Sequence, residues 1–101
     1  MLYAIYKTDT GDIDGGVFDF TMKQYYEALP DSYEDIFCYD FKARGKNYAD
    51  RKDYVESKAI DFSNAEKPDM AYSELAFVGD GFYRLGKAYG LLTDFHENAI
   101  C

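Results

Sequence analysis

The chain's one histidine, His96, stands beside Glu97 near the C-terminus. A histidine works as a general base only with a nucleophile and an orienting group in reach. Ser57 and Ser73 supply hydroxyls, but neither lies in a nucleophile elbow or another recognisable catalytic setting. His96 therefore reads as a surface group at the end of a helix, where the helix dipole favours a cation. The two cysteines, Cys38 and Cys101, read as a buried thiol in a strand and a terminal thiol. Together with one distant histidine they do not have the spacing of a zinc site. The segment Asp9-Thr-Gly-Asp12-Ile-Asp14-Gly15 can be aligned with a calcium loop, but Thr10 then stands where an acid belongs and Thr21 where a bidentate Glu should close the shell. It reads as a polar turn. Gly79-Asp80-Gly81 lacks the Lys of a phosphate-binding loop, and its Asp would repel phosphate. These residues point to a protein that is not an enzyme and needs neither cofactor nor metal.

The carboxylates are more informative. Nineteen acids against eleven bases leave a net charge of −8. Such a balance opposes binding to nucleic acid or anionic membrane and favours basic partners. The charge is unevenly spread: residues 1–40 hold nine acids and two bases, residues 41–58 three acids and six bases, and residues 59–101 seven acids and three bases. A basic island, Lys42, Arg44, Lys46, Arg51, Lys52 and Lys58, thus interrupts an acidic chain. Carboxylates three or four residues apart on a helix, or in neighbouring loops, lie several Å from one another. Duplex DNA carries a phosphate every ~3.4 Å along each strand. An acidic ridge can therefore imitate a phosphate backbone toward a groove lined by Lys and Arg, and long-range attraction would speed the encounter. Asp12, Asp14, Asp31, Glu34 and Asp35 are the acids expected to carry that contact. Eleven tyrosines without tryptophan exceed what the core needs, and Tyr suits protein–protein contacts. Tyr25, Tyr26, Tyr33 and Tyr39, each beside an acid or one residue from it, are expected to be exposed, with Tyr33 and Tyr39 as contact residues.

Length sets the frame that must position these groups. With 101 residues, eight Phe and eleven Tyr, the chain reads as a single domain, 1–101, able to bury about two-thirds of its unfolded surface. Leu2 to Lys7 reads as a first strand, Thr8 to Gly16 as a loop and Val17 to Phe20 as a second strand pairing with the first. Thr21 is a candidate N-cap for a helix carrying Met22, Tyr25, Tyr26 and Leu29, stopped by Pro30. Ile36 to Lys42 reads as a third strand, with Phe37, Tyr39 and Phe41 on one face and Ile36, Cys38 and Asp40 on the other. From Tyr48 the spacing of Val55 and Ala59 predicts a helix, followed by a polar linker over Asp61 to Lys67. Pro68 then opens a short helix with Ala71, Leu75 and Val78 inward, broken at Gly79–Gly81. A core helix follows from Asp80 to Ile100, its stripe made by Phe82, Leu85, Tyr89, Leu92, Phe95 and Ala99. Gly86 and Gly90 would let another element, or a second copy, approach closely. The order predicts an α+β fold, a small three-stranded antiparallel sheet with three to four helices packed on it. No apolar run approaches the ~20 residues of a membrane span, and Met1 leads directly into a strand. The protein is expected to be cytoplasmic.

In size, acidity and Tyr content the chain resembles the small inhibitor proteins that phages and mobile elements use against host nucleases, the anti-CRISPR and antirestriction proteins, some of which mimic DNA. Ile13-Asp-Gly-Gly-Val-Phe-Asp-Phe-Thr21 is similar to a Gly-Gly-Trp-Phe-Asp-Leu type segment of ArdA-like antirestriction proteins, with Val17 in place of the Trp and in a shorter chain. The resemblance implies an inhibitor whose acidic surface fills the basic groove of a nuclease or CRISPR effector. A generic interaction module docking an acidic partner through the basic island 42–58, or a small enzyme or metal-binding protein, are the alternative readings.

Overall fold

The computed structural model describes residues 1–100. Three strands, β1 (Leu2–Lys7), β2 (Ile13–Phe18) and β3 (Glu34–Tyr39), form one antiparallel sheet in the order β2-β1-β3. Four helices, α1 (Met22–Ala28), α2 (Tyr48–Asn64), α3 (Tyr72–Tyr89) and α4 (Leu92–Glu97), complete an α+β fold. β1 is the central strand and the most buried segment of the chain, with Leu2, Tyr3, Ala4 and Ile5 all inaccessible to solvent. Its alternation divides the core in two. Tyr3 and Ile5 face α2, α3 and α4, where they join Phe37, Tyr39, Val55, Phe62, Phe82 and Phe95. Leu2 and Ala4 face α1, where Tyr25 and Cys38 close a much smaller cluster.

The second strand begins four residues earlier than its composition suggests. Gly15 and Gly16, which read as loop formers, pair with Ile5 and Ala4. A Cβ on Gly15 would run into the Ala4 carbonyl oxygen, so glycine serves close backbone approach here. The third strand spans Glu34–Tyr39, not Ile36 to Lys42. It ends because Phe41 adopts a left-handed φ of 60° and the Asp40 carboxylate accepts the Lys42 N–H at 3.2 Å, turning the chain.

Thr21 caps α1 as expected. Its hydroxyl accepts the Gln24 N–H at 3.2 Å, and the Gln24 side chain accepts the Thr21 N–H at 3.0 Å, a reciprocal capping box. α2 runs to Asn64, into the first part of the stretch Asp61 to Lys67 expected to be a polar linker, because Phe62 extends the Val55–Ala59 stripe by one more turn and is buried; the linker begins at Ala65.

The largest correction concerns α3. Gly79 and Gly81 do not break it; the helix is continuous from Tyr72 to Tyr89. Gly81 is where Phe41 seats: an added Cβ would stand 2.6 Å from the ring. Phe41 and Phe82 then meet edge to face with centroids 4.8 Å apart. That packing outweighs the ~1 kcal/mol helix penalty of a glycine. Val78 points inward, but Leu75 is 53 % exposed, so the short inward stripe expected before the glycines is not formed. The break falls instead at Gly90, with φ of 69°, where the Leu91 N–H returns to the Gly86 carbonyl at 2.8 Å. α4 folds back so that Phe95 and Leu92 seat against Gly86, which a Cβ would meet at 2.8 and 3.0 Å. The close approach read into Gly86 is thus used within the chain, and the expected helix from Asp80 to Ile100 is two helices.

Candidate functional site

Antiparallel pairing brings the end of β1 beside the starts of β2 and β3. Lys7 stands opposite Ile13 on one side and Glu34 on the other; Tyr6 stands opposite Asp14 and Asp35. The acids expected to act together therefore converge on one end of the sheet. Asp14 and Asp35 flank Tyr6 in a row across three strands, roughly 10 Å apart at the backbone given ~4.8 Å between strands. Glu34 is next to Asp35, Asp12 lies two residues before Asp14 in the β1–β2 turn, and Asp31 lies in the turn leading into β3.

A β-bulge makes that row possible. Ile5 pairs with Phe37, yet Tyr6 pairs with Asp35, so Ile36 is the extra residue. Without it, strict alternation would place Asp35 on the large-core face with Phe37 and Tyr39. The bulge turns Asp35 toward α1, where its two carboxylate oxygens accept the Tyr25 hydroxyl at 3.0 Å and the Tyr26 hydroxyl at 3.3 Å. Burial, and then the Asp35 charge, push the pKa of both phenols well above the usual tyrosine value.

The other acids are held more lightly. The Thr10 hydroxyl donates to Asp12 at 3.1 Å, and Asp14 accepts its neighbour's Gly15 N–H at 2.8 Å and the Tyr6 hydroxyl at 3.5 Å. Asp12, Asp14, Asp31 and Glu34 are all exposed. Tyr33 is half-buried, its ring stacked on Tyr6 with centroids 5.8 Å apart. Tyr39 does not belong to this surface. It is fully buried, its hydroxyl donates to the Lys42 carbonyl at 2.7 Å, and its ring is part of the large core, so the expectation that it contacts a partner is corrected. Tyr25 is likewise buried and not exposed.

No described residue of the basic island forms an ion pair with the five candidate acids, although Lys58 lines the same groove as Asp35. Arg44 pairs with Asp40 at 3.0 Å, the one ion pair among the described residues. Lys58 extends over the rings of Phe37, Tyr39 and Tyr54, 5.9 Å from each centroid. Lys67, outside the island, lies 4.7 Å over Phe62 and donates to the Ser63 and Ala65 carbonyls at the end of α2. Among the described residues no group of three or more His, Cys, Asp or Glu side chains is placed to hold a metal ion. His96 is exposed in the last turn of α4. Cys38 is buried, which pushes its thiol pKa up to about 11; Cys101 lies outside the described residues. No described helix is long and apolar enough to cross a membrane.

Sequence reasoning missed Tyr6, which stands at this end of the sheet, and Phe18 and Phe20, which lie beside α1 toward the Leu2 end. Alternation from the buried Leu2 and Ala4 would have placed Tyr6 on the α1 face; the bulge that brings Asp35 beside it has no signature in the residue types. Comparison of the chain with protein-family models, curated proteins and solved structures finds no match.

Proposed function

We propose that the protein is a non-enzymatic inhibitor that occupies the Lys/Arg-lined nucleic-acid groove of a nuclease or CRISPR effector, an anti-CRISPR or antirestriction protein acting in the host cytoplasm. The observation that supports this most is the convergence of Asp12, Asp14, Asp31, Glu34 and Asp35, drawn from three separate segments, on one end of the sheet. All five are exposed and in no ion pair among the described residues, so their field is available to a basic partner. The alternative through the basic island is weaker, because Arg44 and Lys58 are engaged with Asp40 and with core rings.

The test is capture from a bacterial lysate by the wild-type chain and by a variant carrying Asp12→Lys, Asp31→Lys and Glu34→Lys. Asp35 is left intact because two tyrosine hydroxyls depend on it. The expected result is capture of a nucleic-acid enzyme that duplex DNA displaces and that elutes at a salt concentration falling steeply in the variant. The variant itself should unfold within about 0.5 kcal/mol of the wild type, as exposed substitutions do. Capture that duplex DNA does not displace, or that the variant retains, would sink the reading.

A further inference from the structure

The acids gather where β1 ends; where it begins, the chain collects cations. Leu2 stands opposite Phe18 and Tyr3 opposite Tyr39, so β2 and β3 both leave the sheet at this end. The connection from β2 to α1 and the turn after β3 form two walls of an open cavity of about 540 Å³. That lies within the ~300–1,000 Å³ of small-ligand sites. Lys23 lines one wall, and Lys42 and Arg44 line the other. Both walls are fixed by hydrogen bonds that do not use the ammonium groups. Thr21 and Gln24 close the capping box on one. On the other, the Lys42 N–H donates to the Asp40 carboxylate at 3.2 Å, and its carbonyl accepts the hydroxyl of the buried Tyr39 at 2.7 Å. Lys23 and Lys42 are in no ion pair among the described residues. Arg44 is held by Asp40 at 3.0 Å, yet its side chain stays 55 % exposed, and a guanidinium has further N–H groups to offer.

The cavity also has a flat apolar wall. The Phe20 ring borders it and is 46 % exposed. One of its faces is stacked on Phe18, centroids 5.6 Å apart and planes 1° from parallel. That stack fixes the ring and leaves its second face without a ring partner among the described residues. A nucleobase stacks well on such a platform, and cations beside it suit a phosphate. Two acids line the cavity too, Asp19 and Asp40. Asp40 is matched by Arg44. Asp19, next to Phe20 in the chain, keeps a phosphate toward the lysines and can accept from a sugar hydroxyl, as carboxylates do in ribose recognition. The net charge of −8 does not close the site to a small anion. Lys7 is five steps of ~3.4 Å from Leu2, so the acids near it lie ~17 Å away, about two screening lengths at physiological salt. A long nucleic acid would meet those acids; a single nucleotide does not. We infer that this cavity binds a free ribonucleotide, its phosphate between Lys23, Lys42 and Arg44 and its base on Phe20. The site is separate from the acidic end and does not depend on the proposed inhibition.

The full chain, isotope-labelled for NMR, would be titrated at about 0.15 M salt with adenosine 5′-monophosphate, adenosine, ribose 5-phosphate and a single-stranded oligo-adenylate. The expected result is saturable shifts confined to the amides around Phe20, Lys23, Lys42 and Arg44, with the monophosphate tightest and ribose 5-phosphate at least about fivefold weaker for want of a stacked base. Phe20→Ala should weaken the monophosphate about fivefold or more and bring it level with ribose 5-phosphate. Lys23→Gln with Lys42→Gln should weaken it about fivefold and leave adenosine unaltered. All three side chains are exposed, so distant resonances should stay in place. Shifts that do not saturate, ribose 5-phosphate binding as tightly as the monophosphate, tighter binding of the oligo-adenylate, or indifference to both variants would overturn the site. None of these readouts involves the five acids or a captured enzyme, so the nucleotide site and the inhibitor reading stand or fall separately.

Discussion

The two faces of the sheet are built from the same strands and differ in almost everything else. On one face three helices bury Tyr3, Ile5, Phe37 and Tyr39 beneath Phe62, Phe82 and Phe95 in a continuous network of stacked, tilted and edge-to-face rings. On the other, one seven-residue helix covers Leu2, Ala4 and Cys38 through Tyr25 and leaves rings and carboxylates open at its margin. A short helix cannot be stable alone; it is held by its capping box and by tertiary contact. The contrast separates two tasks. The crowded face supplies the stability, and the thinly covered face holds the groups that could meet a partner.

Substitutions that treat the faces differently should expose this division, beginning with the crowded one. Phe82 is fully buried and contacts Tyr39, Phe41, Phe62 and Phe95. Phe82→Ala should cost about 3–5 kcal/mol in urea unfolding, enough to threaten the fold of so small a domain. A loss under about 1 kcal/mol would mean that the large cluster is not the principal core.

Alkaline pH should act on both faces together. Burial raises the Cys38 thiol from its ordinary 9 to about 11 and the Tyr3 phenol from 10 to about 12, with the Glu74 charge adding to the latter. Both groups are neutral when protonated, and the unfolded chain gives up these protons first. Above pH 9 the folded state therefore binds more protons than the unfolded one, and stability falls as pH rises. Their contribution is whole below pH 9 and is lost progressively toward pH 12. Urea midpoints measured from pH 8 to 12 should decline in that window; a flat profile would show that these groups are hydrated in the folded state.

A paired comparison of tyrosines is the finest test. The Tyr3 hydroxyl is buried in the large core and finds no hydrogen-bond partner among the described residues, whereas the Tyr25 hydroxyl donates to Asp35. Removing an unpartnered buried hydroxyl relieves a desolvation penalty, while removing one bonded to a carboxylate loses about 1.5–3 kcal/mol. Tyr25→Phe should lower stability by roughly that amount, and Tyr3→Phe should leave it unchanged or raise it by about 1 kcal/mol. The same sign for both would erase the distinction between the faces.

Much of this fold is written in local patterns. Thr21, Gln24 and Pro30 bound α1; Tyr48, Val55 and Ala59 announce α2; the alternation of β3 correctly separates Phe37 and Tyr39 from Cys38. Each of these depends on neighbours a few residues away, so residue type and spacing suffice. The glycines show where such reasoning stops. Gly15 and Gly16 look like loop and lie in a strand, and Gly79 and Gly81 look like a break and lie in a helix. For Gly15 and Gly81 the missing side chain makes room for a backbone or ring from a distant part of the chain.

The acids divide along the same line. Their number, their crowding before residue 41 and the net charge of −8 follow from the amino-acid sequence alone, because charge is a property of residues and not of their arrangement. That they gather at one end of the sheet, that an extra residue at Ile36 turns Asp35 to the α1 face beside Tyr6, and that Tyr39 is buried while Tyr33 borders an open pocket were decided by strand pairing. Pairing joins residues tens of positions apart, and a shift of one residue in register reverses which face a side chain occupies.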